Sequence, residues 1–308
     1  MKYTYSEKNE IELDIPKKFE KIIDNPLNSL DKQKKRRKTT FNVMLAIRIF
    51  ACALVIVSLY LLIDKIYEYT RDISYSNAIR EEVSVNAVQQ AIMQKRPTPK
   101  YPKFEGSEES HLDYPVEVEI SKIKQLALAY PDFIGWFYIE GTSISYPAVQ
   151  AADNDKYLRR NMDLEDNLAG TLFFDYRNDL TTFRGNNIIY GHAMQNGTMF
   201  GKLRNFAKKD YYNQHKRIYF YTENEVTVWQ IFSAYDTTTA NYYIQTEFPD
   251  DDEYLKFLNR CKSDSNYETG VKLTAESDIL TLSTCYLYET KDGRFVVHAV
   301  KVGSVPLT

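Results

Sequence analysis

Cysteine is scarce in this chain: Cys52, Cys261 and Cys285 are the only three in 308 residues. Three thiols cannot all pair, so no disulfide framework carries the fold. A pairing of Cys261 with Cys285 stays open in an oxidising compartment, although nothing in the sequence pins the two together. CxxC and HExxH are both missing, which leaves a zinc site without support. No metal or organic cofactor is implied. Internal repeats and low-complexity stretches are lacking too, so solenoid and tandem-array architectures are excluded. Positive charge is short over most of the length. Residues 1–40 hold eleven Lys/Arg against seven Asp/Glu. With Arg48 also set aside from the total of −3, residues 64–308 carry a net −8. An acidic main body argues against nucleic acid as its partner.

The charge asymmetry turns on residues 41–63. From Phe41 to Ile63 only Asn42, Arg48 and Ser58 are polar. Crossing the hydrocarbon layer takes roughly 20 apolar residues in a helix. Arg48 lies within two turns of the basic end and can snorkel toward it. Directly before the run, Lys32-Gln-Lys-Lys-Arg-Arg-Lys38 places six cations in seven residues. By the positive-inside rule that flank is cytoplasmic and the C-terminal part lies outside the cell. A cleaved signal peptide is the competing reading, but such a core usually runs about 7–15 residues close to the N-terminus.

The expected order is a basic cytoplasmic tail over 1–40 with weak helical tendencies, a single-pass transmembrane signal anchor over 41–63, a helical region and linker over 64–114, and a globular domain over 115–308. Helical spacing of apolar residues continues through 64–95, and Arg96-Pro-Thr-Pro-Lys-Tyr-Pro102 breaks it. Beyond 115 the pattern is mainly β, with short strands near 133–139, 144–149, 171–174, 187–190, 217–221 and 226–232. A short helix Ile120–Ala129 precedes them and a second, Asp251–Cys261, interrupts before a final hairpin. Many short strands with a few inserted helices predict a closed or nearly closed β-barrel. The acidic run Asp250-Asp-Asp-Glu253 reads as the start of the second helix rather than a cation site.

The final hairpin concentrates the chemistry. Ile279-Leu-Thr-Leu-Ser-Thr-Cys285 is a β-type run that ends on a thiol. Arg294 follows nine residues on, after the Asp292-Gly293 turn, and opens the strand from Phe295 to Val302. Thiol and guanidinium therefore sit at one end of a hairpin, where a cation favours the reactive thiolate. Four histidines lie outside the membrane run: His111, His192, His215 and His298. His192 is favoured as the proton carrier, because it follows an apolar strand and Gly191, where a barrel strand breaks into a rim loop.

These residues resemble a sortase: Thr281-Leu-Ser-Thr-Cys285, Arg294, the upstream Tyr190-Gly-His192 and the N-terminal anchor, over roughly residues 115–308. Ser283, the insertion between Thr237 and Asp278, and the helical 64–95 region resemble class B. The resemblance implies an eight-stranded sortase-type β-barrel with N-terminal helices and an inserted helix before the penultimate strand. It implies a membrane-anchored cysteine transpeptidase, with Cys285, His192 and Arg294 as the catalytic trio. It places Ser283, Tyr190, Asn154, Leu158, Thr239, Tyr243, Ile244 and the backbone N–H of Tyr286 along the substrate groove. Its partners would be secreted proteins bearing a C-terminal sorting motif and an amine of a peptidoglycan precursor or cross-bridge. Two other readings use the same residues: a non-catalytic binding or adhesion module on such a barrel, and a purely hydrolytic cysteine peptidase.

Overall fold

The computed structural model describes residues 3–5, 11–13, 17–84, 118–285 and 292–307. The chain divides into two compact units, Met1–Tyr67 and Glu68–Thr308. In the first, strands β1 (Tyr3–Tyr5) and β2 (Ile11–Leu13) pair antiparallel, and helix α1 begins at Lys17. The tail is therefore more regular than weak helical tendencies suggest. Helix α1 runs unbroken to Val83. Its Ser29–Val83 stretch is long and apolar enough to contain a membrane span, and Phe41, Phe50, Ile56 and Ile63 are exposed. The apolar run and the helical pattern that follows it form one element because neither Pro nor Gly separates them.

The second unit is built on a closed barrel. Helix α2 (Ile120–Ala129) stops before Pro131, as a helix must when the residue ahead of proline is pushed toward extended backbone. Strands β3 (Phe133–Ile139), β4 (Ser145–Val149), β5 (Leu172–Phe174) and β6 (Asn186–Gly191) follow. A 3₁₀ turn, Leu203–Ala207, and helix α3 (Lys209–Gln214) lead to β7 (Arg217–Tyr221) and the long β8 (Glu225–Thr238). Helix α4 (Asp251–Ser263) is inserted before β9 (Ile279–Cys285) and β10 (Gly293–Pro306). The strand order is β10-β8-β7-β3-β4-β5-β6-β9, with β9 pairing back onto β10. Eight strands close the barrel, as expected, and closure leaves no free sheet edge. Six of the neighbour pairs are antiparallel, while β4–β5 and β6–β9 are parallel.

The barrel interior is filled by Phe137, Phe174, Phe220, Trp229, Leu282 and Phe295 among others, all at most 1% exposed. Phe174 meets Phe220 edge-on at 5.3 Å between centroids, the arrangement the ring quadrupoles favour. Outside β3 and β7, the end of α1 and helix α2 cover Trp136, Tyr219 and Tyr221 with Ile79, Val83, Ile123 and Leu126. Both faces of β3 are thereby covered, which is why its sequence is almost continuously apolar rather than alternating. Helix α4 buries Tyr254, Phe257, Leu258 and Cys261, an i, i+3, i+4, i+7 stripe, against Phe232, Ile279 and Val300. Its N-cap Asp250 accepts from the Glu253 N–H at 2.9 Å. The acidic run is thus a helix start, as the sequence suggests.

Candidate active site

The thiol-bearing strand is fixed from both sides. In the antiparallel β9–β10 ladder Arg294 pairs with Cys285, Val296 with Ser283 and His298 with Thr281. In the parallel β6–β9 ladder Tyr190 pairs with Ser283 and Gly191 with Thr284. One residue beyond that last pair lie His192 and Cys285. Three neighbouring strands therefore bring the histidine, the cysteine and the arginine to one level at one end of the barrel. Side-chain alternation gives the face. Ile189, Leu282, Phe295 and Val297 point into the core, so Tyr190, Ser283, Arg294 and Val296 belong to the outer surface.

Gly191 is required just ahead of His192. A Cβ there would stand 2.5 Å from Leu172 Cδ2 and 2.6 Å from Phe200 Cδ2. The His192 carbonyl accepts from the Phe200 N–H at 3.0 Å, and Ala193 bridges to Met199, so the loop after β6 folds back at once. Partial burial pulls the His192 pKa below its ordinary 6.5, and the nearby Arg159 cation adds to the shift. Arg294 Nη1 donates to the Gly293 carbonyl at 2.7 Å, which steadies the guanidinium beside the turn.

Two loop regions lie over the outer face of β6 and β9, contacting it at Tyr190 and Ser283, and frame the candidate substrate groove. Residues 241–246, after β8, supply one wall. The Tyr243 hydroxyl and Ser283 Oγ are 2.8 Å apart, and Tyr243 packs with Tyr235 and Val296. Asn186 Nδ2 donates to the carbonyls of Tyr243 at 3.2 Å and Gln245 at 2.8 Å, and Arg260 Nη2 to that of Tyr242 at 3.0 Å. The other loop region is organised by Asp175, which is fully buried. Its carboxylate accepts from Arg177 Nε at 2.8 Å and Nη2 at 2.7 Å, from the Tyr190 hydroxyl at 2.8 Å and from Asn154 Nδ2 at 3.3 Å. Burial alone would raise its pKa. The bonds from Arg177 and Tyr190, with the guanidinium charge, outweigh that and hold it below 3.8. Arg177 also donates to the Ile244 carbonyl at 3.0 Å and the Tyr242 hydroxyl at 3.2 Å, joining the two walls.

Two residues further along the same face a buried relay continues. Thr281 Oγ1 donates to Asn186 Oδ1 at 2.6 Å and therefore accepts from His298 Nδ1 at 2.8 Å, which leaves Nε2 to accept from the Tyr235 hydroxyl at 3.0 Å. His298 is fully buried, and burial pushes its pKa down to about 3. It is a neutral structural histidine. His215 is occupied too, with Nδ1 at 2.9 Å from the Glu140 carbonyl. His111 lies outside the described residues.

Of the residues expected along the groove, the structure gathers Asn154, Tyr190, Tyr243, Ile244 and Ser283 around these contacts. Leu158 and Thr239 stand exposed on the adjoining loops, and among the described residues no hydrogen bond ties their side chains to the set. Tyr286 lies outside the described residues. Sequence reasoning missed Asp175, Arg177, Asn186 and Thr281 as parts of the site. The available signal was Asp175 and Arg177 flanking one exposed tyrosine directly after the apolar Leu172–Phe174. Among the described residues no group of three or more His, Cys, Asp or Glu could hold a metal ion.

Residues 137–302 match the family model described as the sortase domain. The chain is 38% identical to sortase B of Staphylococcus aureus over 174 residues, covering 56% of this chain and 71% of that protein. It is 40% identical to sortase B of Listeria monocytogenes over 166 residues, covering 53% of this chain and 67% of that protein. A solved structure of a Staphylococcus aureus sortase B–substrate complex matches with a TM-score of 0.62 at 28% identity, over 79% of this chain and 100% of that one. The strand order, the cysteine-ended strand and these matches agree: the chain belongs to the sortase family, as a cysteine transpeptidase of the sortase B type.

Proposed function

We propose that Cys285 is the nucleophile, His192 the proton carrier and Arg294 the stabiliser of the oxyanion. The Cys285 proton passes to the neutral His192 imidazole, and the thiolate attacks the carbonyl after the threonine of a C-terminal sorting motif. Arg294, with the backbone N–H of Tyr286, holds the tetrahedral oxyanion. The imidazolium gives its proton to the departing amine, and a thioester remains. An amine of a peptidoglycan precursor or cross-bridge then attacks, His192 removes its extra proton, and a new amide forms as the thiol is released. The groove residues Ser283, Tyr190, Asn154, Leu158, Thr239, Tyr243 and Ile244 receive the motif.

In this reading residues 1–40 are cytoplasmic, 41–63 cross the membrane, and the helical region and linker over 64–114 and the catalytic domain over 115–308 lie outside. The six cations of 32–38 beside the candidate span support that orientation. Anchoring suits the chemistry, because a substrate held by its own apolar tail and a lipid-linked acceptor occupy the same plane.

The observation that carries the proposal is the pairing of Arg294 with Cys285 at the level reached by His192. The test is turnover of a quenched fluorogenic pool of the form Asn-Pro-Xaa-Thr-Xaa, with and without an added amine, read by fluorescence and mass spectrometry. Wild type is expected to form a Cys285 thioester and a ligated product, and Cys285→Ala neither. Full turnover by Cys285→Ala would overturn the assignment. Release of acid alone, even with amine in excess, would favour the hydrolytic peptidase.

A further inference from the structure

We infer that Asp175 and Arg177 together are the positioning pair that sets the width of the substrate groove, an inference that rests on the sorting-peptide reading of that groove. The two walls are loops that meet the barrel at Tyr190 of β6 and Ser283 of β9, and no strand ladder joins one to the other. The 242–245 segment packs through Tyr243 on Tyr235 and Val296 and takes bonds from Asn186 and Arg260, but what ties it to the 175–177 loop is side-chain hydrogen bonding. One side-chain pair makes such bonds to both. Asp175 fixes Tyr190 and Asn154, at 2.8 and 3.3 Å, and the Asn154 side chain in turn accepts from the Tyr176 N–H at 3.1 Å. Arg177 spends two donors on Asp175 and two more on the 242–244 segment.

The chemistry of the pair suits a spacer. Asp175 has no exposure and is held by four side-chain donors, so it has one orientation. The guanidinium is planar, and its five N–H groups point in fixed directions. One edge grips the carboxylate and the outer nitrogens reach the facing loop, so the distance between the walls is set by a rigid fork rather than by a flexible chain. An ammonium in the same place keeps the charge but loses the fork. Neither residue is placed near Cys285, His192 or Arg294 by the strand register. The pair is therefore expected to govern how the peptide is held and not how its bond is broken.

The experiment compares Arg177→Lys and Asp175→Asn with wild type in the full chain, using the Asn-Pro-Xaa-Thr-Xaa pool. Three quantities are read: KM, kcat and the rate at which iodoacetamide alkylates Cys285. In both variants KM is expected to rise at least tenfold, with kcat within about threefold of wild type and the alkylation rate unchanged. Arg177 is 27% exposed and lysine keeps its charge, so Arg177→Lys is expected to fold and decides the matter even where Asp175→Asn does not. An unchanged KM in Arg177→Lys overturns the inference, as does a loss confined to kcat and alkylation. A second arm removes turnover from the comparison: fluorescence anisotropy of the labelled pool on Cys285→Ala, with and without Arg177→Lys. Tenfold weaker binding with the lysine supports the positioning role, and equal binding overturns it. A wild-type chain that binds the pool without cleaving it sinks the transpeptidase chemistry, while this arm still judges the pair.

Discussion

Arg294 is the direct cross-strand partner of Cys285 in the β9–β10 ladder. Directly opposed residues in an antiparallel pair keep their Cβ atoms roughly 4.5–5.5 Å apart. Hairpin register therefore sets the arginine and the cysteine directly opposite each other along the backbone. The Gly293–Thr238 and Arg294–Thr237 pairs extend the ladder onto β8, so the arginine strand is held on both sides.

Replacing Arg294 should separate charge from geometry. Arg294→Ala is expected to lower kcat/KM for the sorting-peptide pool by roughly 100-fold or more, the scale of losing an oxyanion donor. Arg294→Lys keeps the charge but not the fork and should recover only part of that loss. Equal rates for Arg294→Ala and wild type would show that the oxyanion is held elsewhere.

Thiol reactivity should distinguish the two cysteines of the second unit. Cys261 is 1% exposed, and burial pushes its thiol up to about 12. Iodoacetamide at about pH 7.5 is expected to label Cys285 and spare Cys261, since the thiolate is the reacting species. Peptide mapping reads the ratio. Comparable labelling of both would argue for an ordinary thiol at 285 and revive the binding-module reading.

The Tyr243–Ser283 contact should be energetically real and local. Tyr243→Phe and Ser283→Ala are each expected to cost about 0.5–1.5 kcal/mol in urea unfolding, the net worth of one intramolecular hydrogen bond. The double variant should cost less than the sum of the singles by roughly 1 kcal/mol. Strict additivity would mean that the 2.8 Å contact does not hold in solution.

Acid should unfold the domain partly through His298. Its folded pKa is depressed from 6.5 to about 3, so between these values the unfolded chain binds the extra proton. The stability from neutral His298 is complete above the unfolded pKa and falls as pH drops toward about 3, by up to about 1.4 kcal/mol per pH unit. His192, also depressed, acts in the same sense. The Asp175 carboxylate, held below 3.8, adds its loss only in stronger acid. Urea midpoints measured from about pH 6.5 to 4.5 should fall more steeply for wild type than for His298→Gln. Parallel slopes would refute the assignment.

The barrel strands were readable because each is a local pattern. Alternation or an apolar run bounded by turn residues marks all eight, and Ile120–Ala129 was legible to the residue from its helical spacing and Pro131. Helix α4 extends two residues past the expected Cys261, to Ser263, since the Asp264 N–H still bonds to the Arg260 carbonyl. The β8 and β10 strands run longer than expected because they pair with each other over most of their length, and pairing carries strand geometry past the apolar stretch. His298 was harder to judge. The sequence places it on the Arg294 face, but its full burial depends on Tyr235 and the segments that cover β10.

The sequence by itself determined the cysteine-ended strand, the arginine across its turn, the apolar run near the N-terminus and the family. These are written in short-range periodicity and in motifs, which depend only on neighbours along the chain. Tertiary structure alone decided which residues meet across long loops. The parallel β6–β9 pairing brings Tyr190 beside Ser283 although 93 positions separate them. The Asp175–Arg177 pair reaches Ile244 across 67 positions, through side-chain bonds that leave no periodic trace. Barrel closure sets those encounters, because each strand's position is fixed only once both of its neighbours are in place.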